Sequence, residues 1–106
     1  MAVLPSLTAA EFDAGIAGED PVLVDFWAPW CGSCRLLTPT VERLADDLAG
    51  RVRVVTVDVD AAPELAARLD VMSVPTLVLY RSGSEVTRTT GVKSRKVLLD
   101  TLDSHL

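Results

Sequence analysis

Apolar and polar positions alternate between two regimes along this chain. Continuous apolar runs of strand length are separated by stretches in which apolar residues recur at helical spacing. Pro21 to Ala28 is a continuous run rich in Val and aromatics, the pattern of a strand buried on both faces. Arg51 to Asp58, RVRVVTVD, is a second such strand, and Pro75 opens a third, TLVLYR. Ser82-Gly83 then reads as a hairpin turn into a strand over Ser84–Thr90. Val3 and Leu4 suggest a further short edge strand.

The intervening stretches read as helices. Thr8 and Glu11 have the spacing of a capping box, and Leu7 and Phe12 that of a hydrophobic staple, so a helix runs to about Ala17. From near Cys31 to Gly50, Leu37, Val41, Leu44 and Leu48 mark the core face of a longer helix. Pro39 falls inside that pattern and should kink it, because proline donates no hydrogen bond and crowds the preceding turn. Asp60 is placed to cap a short helix over Ala61–Leu69, with Pro63 tolerated in its first turn. Ser94 can cap a last helix whose Leu98, Leu102 and Leu106 share a face. The order βαβαβαββα predicts an α/β fold. It is a three-layer sandwich with a central mixed five-stranded sheet and four flanking helices. The strand–helix–strand units favour a parallel first half, and the hairpin adds an antiparallel edge.

Composition narrows the possibilities. A chain of 106 residues suits one domain, and 49% apolar residues supply a core without staples. Ten basic against fifteen acidic side chains give a net charge of −5, which suits neither nucleic acid nor anionic membranes. The longest apolar stretch, PVLVDFWAPW, is short and interrupted by Asp25, so it does not span a membrane. The first residues, MAVLPSLTAAEFDAG, lack the basic segment of an export signal, and the expectation is a cytoplasmic protein.

The candidate chemistry lies in WAPWCGSCR, which holds both cysteines, Cys31 and Cys34. Cys31 sits at a helix start directly after a strand, where unpaired N–H groups and the helix dipole favour a thiolate. Cys34, one turn on, shares its face. Such a pair can attack a disulfide and then resolve the mixed disulfide, given one exposed thiol and one sheltered thiol. Other readings stay open at this point. A structural zinc site needs four ligands, and the chain adds only His105 to its two cysteines. A structural clip would close too short a loop to remove much unfolded-state entropy. Two unrelated thiols are the remaining alternative. Asp25 interrupts a doubly buried strand; burial there costs free energy and raises its pKa unless a hydroxyl, backbone group or water satisfies it.

DFWAPWCGSC, followed by Pro39, then VDVDAAPELAARLDVMSVPTLVLY, RSG and Gly91, resembles the thioredoxin family over nearly the whole chain. The resemblance implies a protein-disulfide reductase in which Cys31 attacks, Cys34 resolves and Asp25 accepts the proton of Cys34. It implies no bound cofactor or metal, with NADPH electrons arriving through a thioredoxin reductase; the chain has no glycine-rich nucleotide loop of its own. Thioredoxin reductase and disulfide-containing proteins are the implied partners, and nothing requires more than a monomer. In the family the Val74–Pro75 bond is cis and exposes Val74 backbone groups to an extended substrate, a local β-augmentation. Trp30, Gly32, Ser33, Met72, Val74 and Gly91 would line the contact surface around Pro75, while Trp27 is core. Two positions depart from the family. Thr56 stands where many relatives carry a lysine near the aspartate, so Asp25 should titrate higher here. Ser33 replaces the usual proline of CGPC, restoring an N–H near Cys31 that favours the thiolate. The expected potential is therefore somewhat above the general thioredoxin value of about −270 mV. The alternatives are a more oxidising oxidase or isomerase, and a binding module whose redox activity is incidental.

Overall fold

The stretches that read as buried strands form the centre of the computed structural model, which describes residues 4–106. β1 is Val22–Trp27, β2 is Arg53–Asp58, β3 is Thr76–Arg81 and β4 is Ser84–Thr90. Their order across the sheet is β2-β1-β3-β4. β1 pairs in parallel with β2, and β3 is antiparallel to both β1 and β4. The antiparallel pairing thus begins at β3, before the hairpin. Apolar patterning is blind to direction, because a strand buried on both faces reads the same either way. The hairpin turn carries positive φ at Ser82 (52°) and Gly83 (79°), as a two-residue type I′ turn requires.

Helices cover both faces. α1 (Ala9–Ile16) and α3 (Pro63–Arg68) lie on one, α2 (Gly32–Asp47) and α4 (Arg95–Asp103) on the other. The first layer packs Phe12, Ile16 and Leu65 onto Val22, Val24, Phe26, Val55, Val57, Val78 and Tyr80. Phe12 stands edge-on to Tyr80 at 5.6 Å, a favourable aromatic geometry. The second layer packs Leu37, Val41, Leu44, Leu98 and Leu102 onto Leu23, Val54, Leu77 and Leu79. The Thr8 capping box is complete, with Glu11 N–H donating to Thr8 Oγ1 and Thr8 N–H to Glu11 Oε1. Ser94 caps α4 through the N–H of Val97. α2 runs unbroken through Pro39. No helix among the described residues is long and apolar enough to cross a membrane.

Three expectations are corrected. The sheet has four strands among the described residues, not five: Ser6 makes one parallel bridge to Thr56. Val3 lies outside the described residues, and Leu4 is not in a strand. Pro5 accepts from the N–H of Thr56 and has none to give back, and Thr8 already begins the α1 cap, so the ladder does not lengthen among the described residues. Asp60 does not cap α3; Ala62 holds that position without a side-chain bond, and Pro63 at the first helical residue needs no partner. Leu106 is half exposed, because α4 ends at Asp103 and the face it would share stops there. β3 and β4 span the predicted residues and β2 ends at Asp58 as expected, while the other helix and strand ends fall one to three residues inside the predicted spans, where turns begin.

Candidate active site

The β1–α2 junction places the cysteines. β1 ends at Trp27, and Cys31 becomes the N-cap of α2 in extended backbone (φ −87°, ψ 108°). The N–H of Cys34 donates to Cys31 Sγ at 3.1 Å, so sulfur takes the role an oxygen usually has at a helix cap. Cys31 and Cys34 are joined as a disulfide with Cα atoms 5.3 Å apart. Among the described residues no cluster of three or more His, Cys, Asp or Glu side chains forms, and His105 lies in the turn beyond α4. Both cysteines are buried (4% and 3% exposed), packed with Ala28 and flanked by Trp27, Val59 and Val74. The predicted contrast of one exposed and one sheltered thiol is therefore absent in the disulfide form. What separates the two is position: Cys31 caps the helix, and Cys34 lies inside its first turn on the core side.

Opposite the pair, the Val74–Pro75 bond is cis. The Val74 carbonyl oxygen comes within 3.7 Å of Cys31 Sγ. Pro75 is buried, and its carbonyl accepts from the N–H of Gly91 at 2.9 Å. Gly91, at φ 81°, ends β4 and holds the proline loop with its backbone. Around this groove Trp30, Gly32, Ser33 and Met72 are exposed, Met72 at 90%. Trp27 is only half-buried.

Asp25 lies in β1, two residues before its end at Trp27. It shares a face with Leu23, two residues before it on β1, and Leu23 belongs to the α2 layer, so its carboxyl points into that layer. It is 5% exposed, and burial alone pushes its pKa up to about 7 from 3.8. Thr56 is its register partner on β2, as the aligned departure from the family implied. The Thr56 hydroxyl, however, donates to the Pro5 carbonyl at 3.5 Å, and Asp25 Oδ1 has no partner among the described residues. The reading of Asp25 as an acid satisfied by a protein hydroxyl fails for that oxygen.

Sequence reasoning missed three neighbours of the site. Trp30 Nε1 donates to Asp60 Oδ1 at 3.2 Å, which fixes the exposed ring. Arg35 Nη2 donates to the Pro29 carbonyl at 2.6 Å and ties the loop to α2. Leu36 extends the apolar rim, 74% exposed. The exposed apolar Leu36 next to the motif was the one signal in the sequence; the other two contacts depend on folding.

The thioredoxin family model matches residues 3–104. The chain belongs to the thioredoxin family. It is 42% identical to thioredoxin of Staphylococcus aureus, over 94% of this chain and 95% of the relative. It is 39% identical to thioredoxin 1 of Synechococcus elongatus and 37% to thioredoxin 1 of a Nostoc species, each over the full length of both chains. With the CxxC disulfide of this family, the chain is a thiol–disulfide oxidoreductase of the disulfide-reductase type.

Proposed function

We propose that the chain acts as a single thioredoxin domain that reduces protein disulfides, with Cys31 as the attacking sulfur and Cys34 as the resolving one. The Cys31 thiolate displaces one sulfur of a substrate disulfide and forms a mixed disulfide. Cys34 then gives its proton to Asp25 and attacks Cys31 Sγ, releasing the second substrate thiolate and leaving Cys31–Cys34 oxidised. The observation that carries this assignment is Cys31 at the N-cap, accepting the Cys34 N–H, with the Val74 carbonyl across a short gap. A helix N-terminus stabilises negative charge on that sulfur and much less on one buried a turn further in.

Asp25 suits its role because its proton affinity lies near neutrality, between a free carboxylate and a free thiol. Val74 and Pro75, with Trp30, Gly32, Ser33 and Gly91 around them, form the surface that receives an extended substrate segment. Ser33 keeps an N–H in the first turn of α2, where proline would have none. That favours the thiolate and so a more oxidising potential than the general family value. Electrons reach the disulfide from NADPH through a thioredoxin reductase, in the cytoplasm, with the protein monomeric and serving electron transport and cell redox homeostasis. The test is a coupled assay in which NADPH and a bacterial thioredoxin reductase drive reduction of insulin disulfides through this protein. Turnover that is lost in Cys31→Ser supports the proposal. No turnover with any reductase tried, or turnover that survives Cys31→Ser, contradicts it.

A further inference from the structure

Arg88 lies on β4, far in sequence from the cysteines. Its Nη1 donates to the Asp70 carbonyl at 2.9 Å and its Nη2 to the Leu69 carbonyl at 2.8 Å. Nε and Nη2 also reach the two carboxylate oxygens of Glu85, at 3.0 and 2.7 Å. The two carbonyls belong to the end of α3. There Val71 N–H donates to the Ala66 carbonyl and Asp70 N–H to the Ala67 carbonyl, with Asp70 at φ 55°. This is a Schellman turn with aspartate where glycine is usual, and it leaves the last carbonyls without intrahelical partners. Arg88 takes two of them.

The β4 backbone is shaped for this contact. Residues three apart on a regular strand face opposite sides of the sheet, so Glu85 and Arg88 should not meet. Leu79 pairs with Thr87 and Tyr80 with Glu85, which leaves Val86 as one extra residue, a bulge. The bulge restores parity, and both side chains fall on the Tyr80 and Val78 face, under α3.

The clamped turn leads directly into Met72, Ser73, Val74 and Pro75. Downstream, the same strand runs out at Thr90 into Gly91, whose N–H holds the Pro75 carbonyl. The Thr76 hydroxyl secures the Ser73 carbonyl at 2.7 Å. β4 therefore anchors both ends of the loop that faces Cys31, through Arg88 upstream and Gly91 downstream.

We propose that Arg88 is a positioning residue for polypeptide substrates: by fixing residues 69–71 it sets where the Val74 backbone stands against Cys31. It governs reaction with disulfides carried on an extended chain and leaves the intrinsic reactivity of Cys31 alone. The inference rests on the reading of Val74 as the substrate-pairing segment.

The test compares two disulfides in stopped-flow reaction with the reduced protein: a disulfide-linked pair of short peptides, and cystine. Arg88→Met keeps most of the stem and removes the four donor contacts. Arg88→Lys keeps the charge but not the fork that spans two carbonyls and a carboxylate, so the comparison does not hang on one variant folding. The expected result is a loss of about tenfold in the peptide rate, with the cystine rate within about twofold of wild type. Amides of Val71 to Val74 should also exchange faster with solvent, and Arg88→Lys should show a smaller loss of the same kind. An equal fall in both rates, or an unchanged peptide rate in both variants, overturns the role of Arg88 while the Val74 reading stands. A wild-type protein that reacts equally fast with both disulfides overturns the Val74 reading and this proposal with it.

Discussion

Replacing Asp25 by asparagine should make the protein more stable, increasingly so as pH rises from 3.8 to about 7. In the unfolded chain this carboxyl titrates near 3.8; in the fold, burial pushes it up to about 7. Between those values the folded state still holds a proton that the unfolded state has released. Stability therefore falls as pH rises through that window and is level on either side. At about 1.4 kcal/mol per pH unit, the wild type should lose roughly 4 kcal/mol between pH 4 and pH 8 through this group alone. That is a large fraction of the roughly 5–15 kcal/mol that usually holds a domain together. Asp25→Asn is neutral throughout and similar in shape, so its pH profile lacks this decline. The assay is urea unfolding of the disulfide form of both proteins at half-unit steps. Contributions from other groups cancel in the difference. The difference should be near zero at pH 4, grow through pH 5 and 6, and flatten above pH 7 with the variant more stable. Parallel profiles, differing by less than about 0.5 kcal/mol from pH 4 to pH 8, would refute the reasoning, because they require a carboxyl that ionises as easily inside the fold as outside.

Thr56→Lys brings an ammonium group beside the same carboxyl across the β1–β2 register. It should lower the upper end of the titration window by roughly one to three pH units, read from the same urea profiles or from carboxyl NMR. Ser33→Pro removes an N–H from the first turn of α2 and should lower the reduction potential by about 30 mV, or about 1.4 kcal/mol, on equilibration with glutathione. An unchanged potential would make Ser33 a tolerated variation rather than a tuning residue.

Local features of the fold were legible in the sequence because local residues determine them. Thr8 and Glu11 lie within one turn of each other, so their capping box follows from spacing alone. The same holds for the Ser94 cap and for the placement of Cys31 at a strand–helix junction. Asp25 was conspicuous as a charge inside an apolar run. Its missing partner was not, because that depends on which way Thr56 turns its hydroxyl, and Pro5 claims it. Contacts between distant segments escaped for the same reason. Trp30 and Asp60 are thirty residues apart, and nothing local signals their bond; Asp60 misses the capping role because α3 starts at Pro63, two residues later than expected. Nothing in the spacing brings Glu85 and Arg88 together, since residues three apart on a regular strand face opposite sides; one extra residue at Val86 turns Glu85 onto the face of Arg88. Among the described residues the edge pairing is a single bridge at Ser6, because Pro5 continues the apolar pattern but has no donor to extend it.

The most direct test of the central assignment is to trap the covalent intermediate. Reduced Cys34→Ser protein, which cannot resolve, is mixed with a disulfide-containing protein and digested for mass spectrometry. The account predicts a stable mixed disulfide on Cys31, and far slower adduct formation on Cys34 in the reciprocal Cys31→Ser variant. Rapid adduct formation at Cys34 in Cys31→Ser, with none at Cys31 in Cys34→Ser, would contradict it.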